Sequence, residues 1–126
     1  MGNMNTGSIV AEVSKRIDNI PSALSGTSMN NDVDRAIAHI EEYTGLSIGS
    51  TAIPPKYQNA IIYKTCIDVM TAIKAFGSDG GISLGDFSTN RGTGDNLANG
   101  IQVYTELLKM EKTILGKNFH YYKSNS

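Results

Sequence analysis

Between Pro54 and Phe76 the apolar positions wrap most of the way around a helical projection. Ile62, Cys66, Val69, Met70, Ile73 and Phe76 share one face, and Tyr57, Ala60, Ile61, Ile67 and Ala72 carry apolar surface well beyond it. Only Lys64, Asp68 and Thr71 form a clean polar stripe. Pro54 and Pro55 stand where a helix can open, because the first turn has no partner for its N–H groups, and Gly77 stands where one can end. A helix with so narrow a wet strip has to be covered on most sides, so this stretch is expected to be the central helix and the other segments its packing partners. Lys64, Asp68 and Lys74 interrupt it too often for a membrane span.

Three other segments repeat a helical pattern with narrower apolar faces. Over residues 8–20, Ile9, Val13, Ile17 and Ile20 fall on one side before Pro21 stops the run. Residues 21–30 are mostly small, with Leu24 as the main apolar anchor, so residues 1–30 are expected to form a mobile N-terminal helix and linker. Asn31 is placed to cap a second helix, with Asp32 and Asp34 in its first turn, Val33, Ala36, Ile37, Ile40 and Tyr43 as its buried stripe, and Gly45 for its left-handed end. Residues 46–53 include β-branched positions that suit an extended crossing to the central helix.

Seven of the thirteen glycines fall between Gly77 and Gly100, which marks a loop too long to be a simple connection. Inside it, residues 82–88 alternate apolar with small or polar side chains, as a strand or hairpin arm would. Asp95 can cap a last helix running to Leu115 before Gly116. One side of its apolar arc holds Leu97, Ile101, Tyr104 and Leu108, and the other holds Val103, Leu107, Met110 and Ile114. Glu111 projects into that arc, where a charge needs water, a partner or a subunit boundary. Two accounts stay open for it: reaching solvent near the helix end, or an ion pair between subunits. Phe119, His120, Tyr121 and Tyr122 then crowd the tail, residues 117–126, and either fold back or dock on another chain. The expected fold class is mainly α: a single domain, a small bundle of about four helices with its core in residues 31–116, and a Gly-rich loop or short β-hairpin before the last helix.

Composition narrows the function more by exclusion than by motif. A net charge of −1 and a pI near 6.1 provide no broad basic field for a nucleic-acid backbone or an anionic membrane. The single cysteine, Cys66, cannot form an internal disulfide and reads as a buried small residue. The N-terminal residues carry no secretory signal, so use without export is expected. His39 and His120 are the only histidines, and His39 has no cysteine or carboxylate at a persuasive metal-ligand spacing. Gly92-Thr93-Gly94 lacks the third glycine of a dinucleotide loop, and Asp79 and Asp86 do not follow a calcium-loop spacing. No nucleophile elbow or phosphate loop is present either. The expectation is a protein without catalytic residues, metal or cofactor.

Three passages carry a likeness: Ile40-Glu41-Glu42-Tyr43-Thr44-Gly45 closing an amphipathic helix, Pro55-Lys56-Tyr57-Gln58-Asn59-Ala60-Ile61 opening a long apolar one, and Leu84-Gly85-Asp86-Phe87-Ser88 before the last helix. With these the chain resembles the adaptor, or head completion, proteins of tailed-phage head–tail connectors. The resemblance implies a structural protein of the virion neck, assembled in the host cytoplasm as a homo-oligomeric, twelve-fold ring. Its partners would be the portal protein, neighbouring adaptor subunits and the next connector or tail-completion protein, with phage DNA passing through the channel without sequence-specific binding. On that basis the residues expected to meet partners are Ile82, Leu84, Asp86, Phe87, Arg91, Glu111, Phe119, Tyr121 and Tyr122. The competing expectation is a small helical DNA-binding or regulatory protein. A third, an enzyme acting through residues 79–95, would need a bound ligand.

Overall fold

The computed structural model describes residues 2–18, 20–76, 83–84 and 93–124, with the side chains of residues 18, 76, 83–84, 93–96 and 117–124 excepted. The described residues form a small helical bundle, in chain order α1 (Thr6–Arg16), β1 (Ile17–Asp18), a 3₁₀ turn (Ser22–Leu24), α2 (Thr27–Thr44), α3 (Pro55–Phe76), β2 (Ser83–Leu84) and α4 (Thr93–Ser124). As the apolar pattern requires, α3 is central. It packs most extensively against α4, then α2, and also meets α1. Ala60, Ile61, Cys66, Val69, Met70 and Ile73 on α3 are fully buried. Thr65 is buried with them because its hydroxyl donates to the Ile61 carbonyl at 2.8 Å, leaving no orphaned polar group.

The N-terminal helix is not a swinging arm. Asn5 caps α1 by accepting from the Ser8 N–H at 2.8 Å, and Lys15 and Arg16 complement the dipole at its other end. Its Ile9 and Val13 side chains are fully buried in the shared core against α2 and α3. Burying each is worth about 1.5–3 kcal/mol, which holds the helix down. The expected run to Ile20 stops at Arg16, because Ile17 turns extended and pairs antiparallel with Leu84, Asp18 pairing with Ser83. Of the strand or hairpin arm expected over residues 82–88, only Ser83 and Leu84 are described, extended against the end of α1; the rest of that segment lies outside the described residues.

α2 starts five residues earlier than the Asn31 cap predicts. Gly26, at φ 60°, precedes Thr27, and no side chain caps this end. The extra turn brings Met29 into the core, nearly fully buried, and the gain from that apolar contact outweighs the missing cap. Asp32 thereby moves out of the first turn and becomes a buried group paired with Arg35. At the other end Gly45 adopts φ 73° and donates to the Glu41 carbonyl at 2.7 Å, the left-handed cap the sequence implies.

The connection from α2 to α3 is pinned at both sides. Glu41 accepts from the Ile48 and Gly49 N–H groups at 2.6 and 3.0 Å. Ile53 is fully buried and forms a bridge with Met4, whose N–H donates to the Ile53 carbonyl at 3.0 Å. Gln58 Nε2 ties the two segments together by donating to the carbonyls of Ile53 and Gly2, both at 2.9 Å. α4 does not stop at Gly116. That glycine is buried within the helix and is not an end signal, and the helix continues through Phe119, Tyr121 and Tyr122 to Ser124. At 32 residues against the 22 of α3, it is longer by about 15 Å.

Candidate functional site

α4 presents two apolar lines with different fates. Leu97, Tyr104, Leu108 and Leu115 are buried against the bundle. The second line begins half-buried at Val103 and Leu107 and ends in water at Met110 and Ile114, which are 62% and 58% exposed. The spacing of Val103, Leu107, Met110 and Ile114 is that of a helix–helix contact stripe, yet no element among the described residues covers its far end. Tyr43 and Leu46, at the end of α2 and just beyond, are also exposed; Tyr43 departs here from its expected place in the buried stripe.

Glu111 sits between these lines, half-buried, and no described residue pairs with it. It follows Leu108 and precedes Leu115 at core-facing spacing, which is why the sequence showed a charge intruding into an apolar arc. Leu84 is brought to the end of α1 through its backbone pairing with Ile17. Phe119, Tyr121 and Tyr122 belong to the last turns of α4 and so lie on the same helix as that stripe. Ile82, Asp86, Phe87 and Arg91 lie outside the described residues.

A second feature escaped the sequence pattern: a polar seam where α2, α3 and α4 meet. On α2, Asp32 pairs with Arg35, and burial raises the Asp32 carboxyl above its ordinary value, with Arg35 acting in the opposite direction. On α3, Lys64 and Asp68 pair at 2.8 Å, both partly buried. On α4, Lys112 lies with its ammonium 5.1 Å from the centre of the Tyr43 ring, while the Tyr43 hydroxyl donates to the Lys112 carbonyl at 3.0 Å. His39 of α2 is half-buried within the electrostatic reach of Lys112, Lys64 and Asp68. Its Nε2 is buried without a hydrogen-bond partner among the described residues, and burial, then Lys112 and Lys64, lower its pKa below the ordinary histidine value. Lys112 is itself lowered by burial and by Lys64. His39 borders the apolar stripe of its helix, and what distinguishes it from a surface histidine, the burial of Nε2 and the lysines brought in from α3 and α4, is set by the tertiary fold.

Among the described residues, no three His, Cys, Asp or Glu side chains are grouped to hold a metal ion. No helix among them is long and apolar enough to cross a membrane. The single thiol, Cys66, is buried. What the described surface offers is contact: an apolar stripe on a long helix, flanked by an unpaired carboxylate and by a seam of charges. No protein-family model, curated protein or solved structure matches the chain.

Proposed function

We propose that the chain is a head–tail connector adaptor: a structural subunit of the neck of a tailed phage that assembles in a ring under the portal and joins the capsid to the tail. The observation that carries this reading is the Met110–Ile114 end of the α4 stripe, large apolar side chains left in water on the longest helix of the fold. An isolated subunit has no use for such a stripe, whereas a ring needs one surface of each copy to meet a different surface of the next. The resemblance supports the same reading. Two of its passages, residues 40–45 and 55–61, form the end of α2 and the start of α3, the part of the fold pinned by Glu41 and Gln58. Glu111 and the last turns of α4 then belong to faces toward a neighbouring subunit, the portal or the next connector protein.

The DNA-reader alternative draws little from the exposed side of α2, where Asp34, Ala38 and Glu42 outnumber the one basic residue, Arg35. Phosphate contacts need positive charge there.

Light scattering of the purified protein, alone and with portal assemblies, followed by electron microscopy, tests the proposal. Rings, or an added layer under the portal, are the expected result. A monomer that leaves portals unchanged would overturn it.

A further inference from the structure

We infer that the seam around His39 is an acid-operated release, in which protonation of the imidazole detaches α4, around Lys112, from α2. The inference stands apart from the connector reading, because it concerns the isolated subunit. It begins with the buried Nε2 of His39, which has no hydrogen-bond partner among the described residues. A neutral imidazole leaves there one weak unmet hydrogen bond. An imidazolium carries N–H donors on both ring nitrogens and would bury a charged N–H with no acceptor.

The groups facing the ring offer that charge little relief. From α3 come Lys64 and Asp68, and the carboxylate of Asp68 is already engaged by Lys64 at 2.8 Å. From α4 comes Lys112, a second cation. On α2 itself, Arg35 is bound to Asp32, and Glu42 is exposed to water. The new charge therefore meets two lysines, one of them unpaired among the described residues, and one occupied carboxylate. In the closed seam Nε2 itself has no exposed surface, although the rest of the ring is only half-buried.

The fold decides which contact yields. α4 is held to α3 by a far larger contact than to α2, including buried Leu97, Tyr104 and Leu108. The α2 side rests on the Tyr43–Lys112 pair. Because the closed seam lowers the pKa of His39, the opened form binds more protons. The contact is complete above the ordinary histidine value of 6.5 and weakens as pH falls from there through the His39 midpoint. Within that window opening increases by up to about tenfold per pH unit.

The test joins NMR titration of the two histidine rings, assigned with His120→Gln, to hydrogen exchange of peptides over residues 108–116 and 60–70. Exchange is compared with His39→Gln at each pH, so that the chemical pH dependence cancels. The expected results are a His39 midpoint below 6.5, raised by Lys112→Gln, and acid-dependent opening of 108–116 in the wild type alone, with 60–70 still protected. If His39→Gln does not fold, Lys112→Gln serves as the reference, and its opening should depend less steeply on acid. A midpoint at or above 6.5, a midpoint unmoved by Lys112→Gln, equal opening of 108–116 in wild type and reference, or simultaneous opening of 60–70 would each overturn the inference.

Discussion

The Tyr104 ring of α4 lies with its centre 5.7 Å from that of Tyr63 on α3, tilted by 39°, and Arg16 from the last turn of α1 reaches both. The guanidinium is 5.9 Å from the Tyr63 ring centre, and one of its nitrogens donates to the Tyr104 hydroxyl at 3.5 Å. Three helices thus meet at one polar contact inside an apolar interface. Tyr104→Phe keeps the ring and removes the acceptor, and Arg16 already has a buried Nε without a hydrogen-bond partner among the described residues. Urea unfolding should show a loss of about 1 kcal/mol with the slope unchanged.

The docking of α1 makes a stronger demand. Ile9 is fully buried, so Ile9→Ala should cost about 2–5 kcal/mol, a large part of the total stability of a domain this size. Chemical or thermal denaturation checks it. A loosely tethered helix would tolerate the change with almost no effect.

Glu41 predicts a pH dependence. The backbone N–H groups of Gly49 and Ile48 hold its carboxyl below the ordinary 4.5, with burial opposing only slightly. A carboxylate lowered in this way contributes stability above the unfolded-chain value, and the contribution disappears as pH falls through its folded value. The contact is open to water, so Glu41→Gln should cost on the order of 0.5 kcal/mol at pH 7. The difference from wild type, followed by urea midpoints, should close as the solution becomes more acidic than 4.5.

Replacing Met110 and Ile114 by Ser separates folding from assembly. Both side chains are exposed, so each change should alter unfolding free energy by no more than about 0.5 kcal/mol. If the stripe meets a neighbouring subunit, the double variant should remain monomeric by light scattering under conditions where the parent protein associates.

The central helix was legible because apolar residues on nearly every side leave one arrangement available, and its range matches the expected boundary to within a residue. The ends of α1 and α2 were less so, for reasons that lie far along the chain. Arg16 ends α1 because Leu84 pairs with Ile17, and α2 gains a turn because Met29 finds the core; neither signal is local. Gly116 misled in the opposite sense, since a buried glycine and a terminal glycine look the same in sequence. At the candidate surface, the exposed pair Met110 and Ile114 could be read as apolar but not as uncovered. The intrusion of Glu111 was visible from periodicity alone. The seam around His39 was not, because the lysines that define it come from two other helices.

The order in which the chain is synthesised gives the pinned N-terminus a further consequence. Ile9 and Val13 are covered by α2 and α3, and Ile17 pairs with Leu84, so their partners leave the ribosome well after they do. During that interval the nascent first helix displays an apolar stripe with nothing to close over it, and the distant pairings with Ile53 and Leu84 must wait for long loops to shut. The emerging first helix is thus open to capture by chaperones or by other nascent chains until α2 and α3 arrive to cover it.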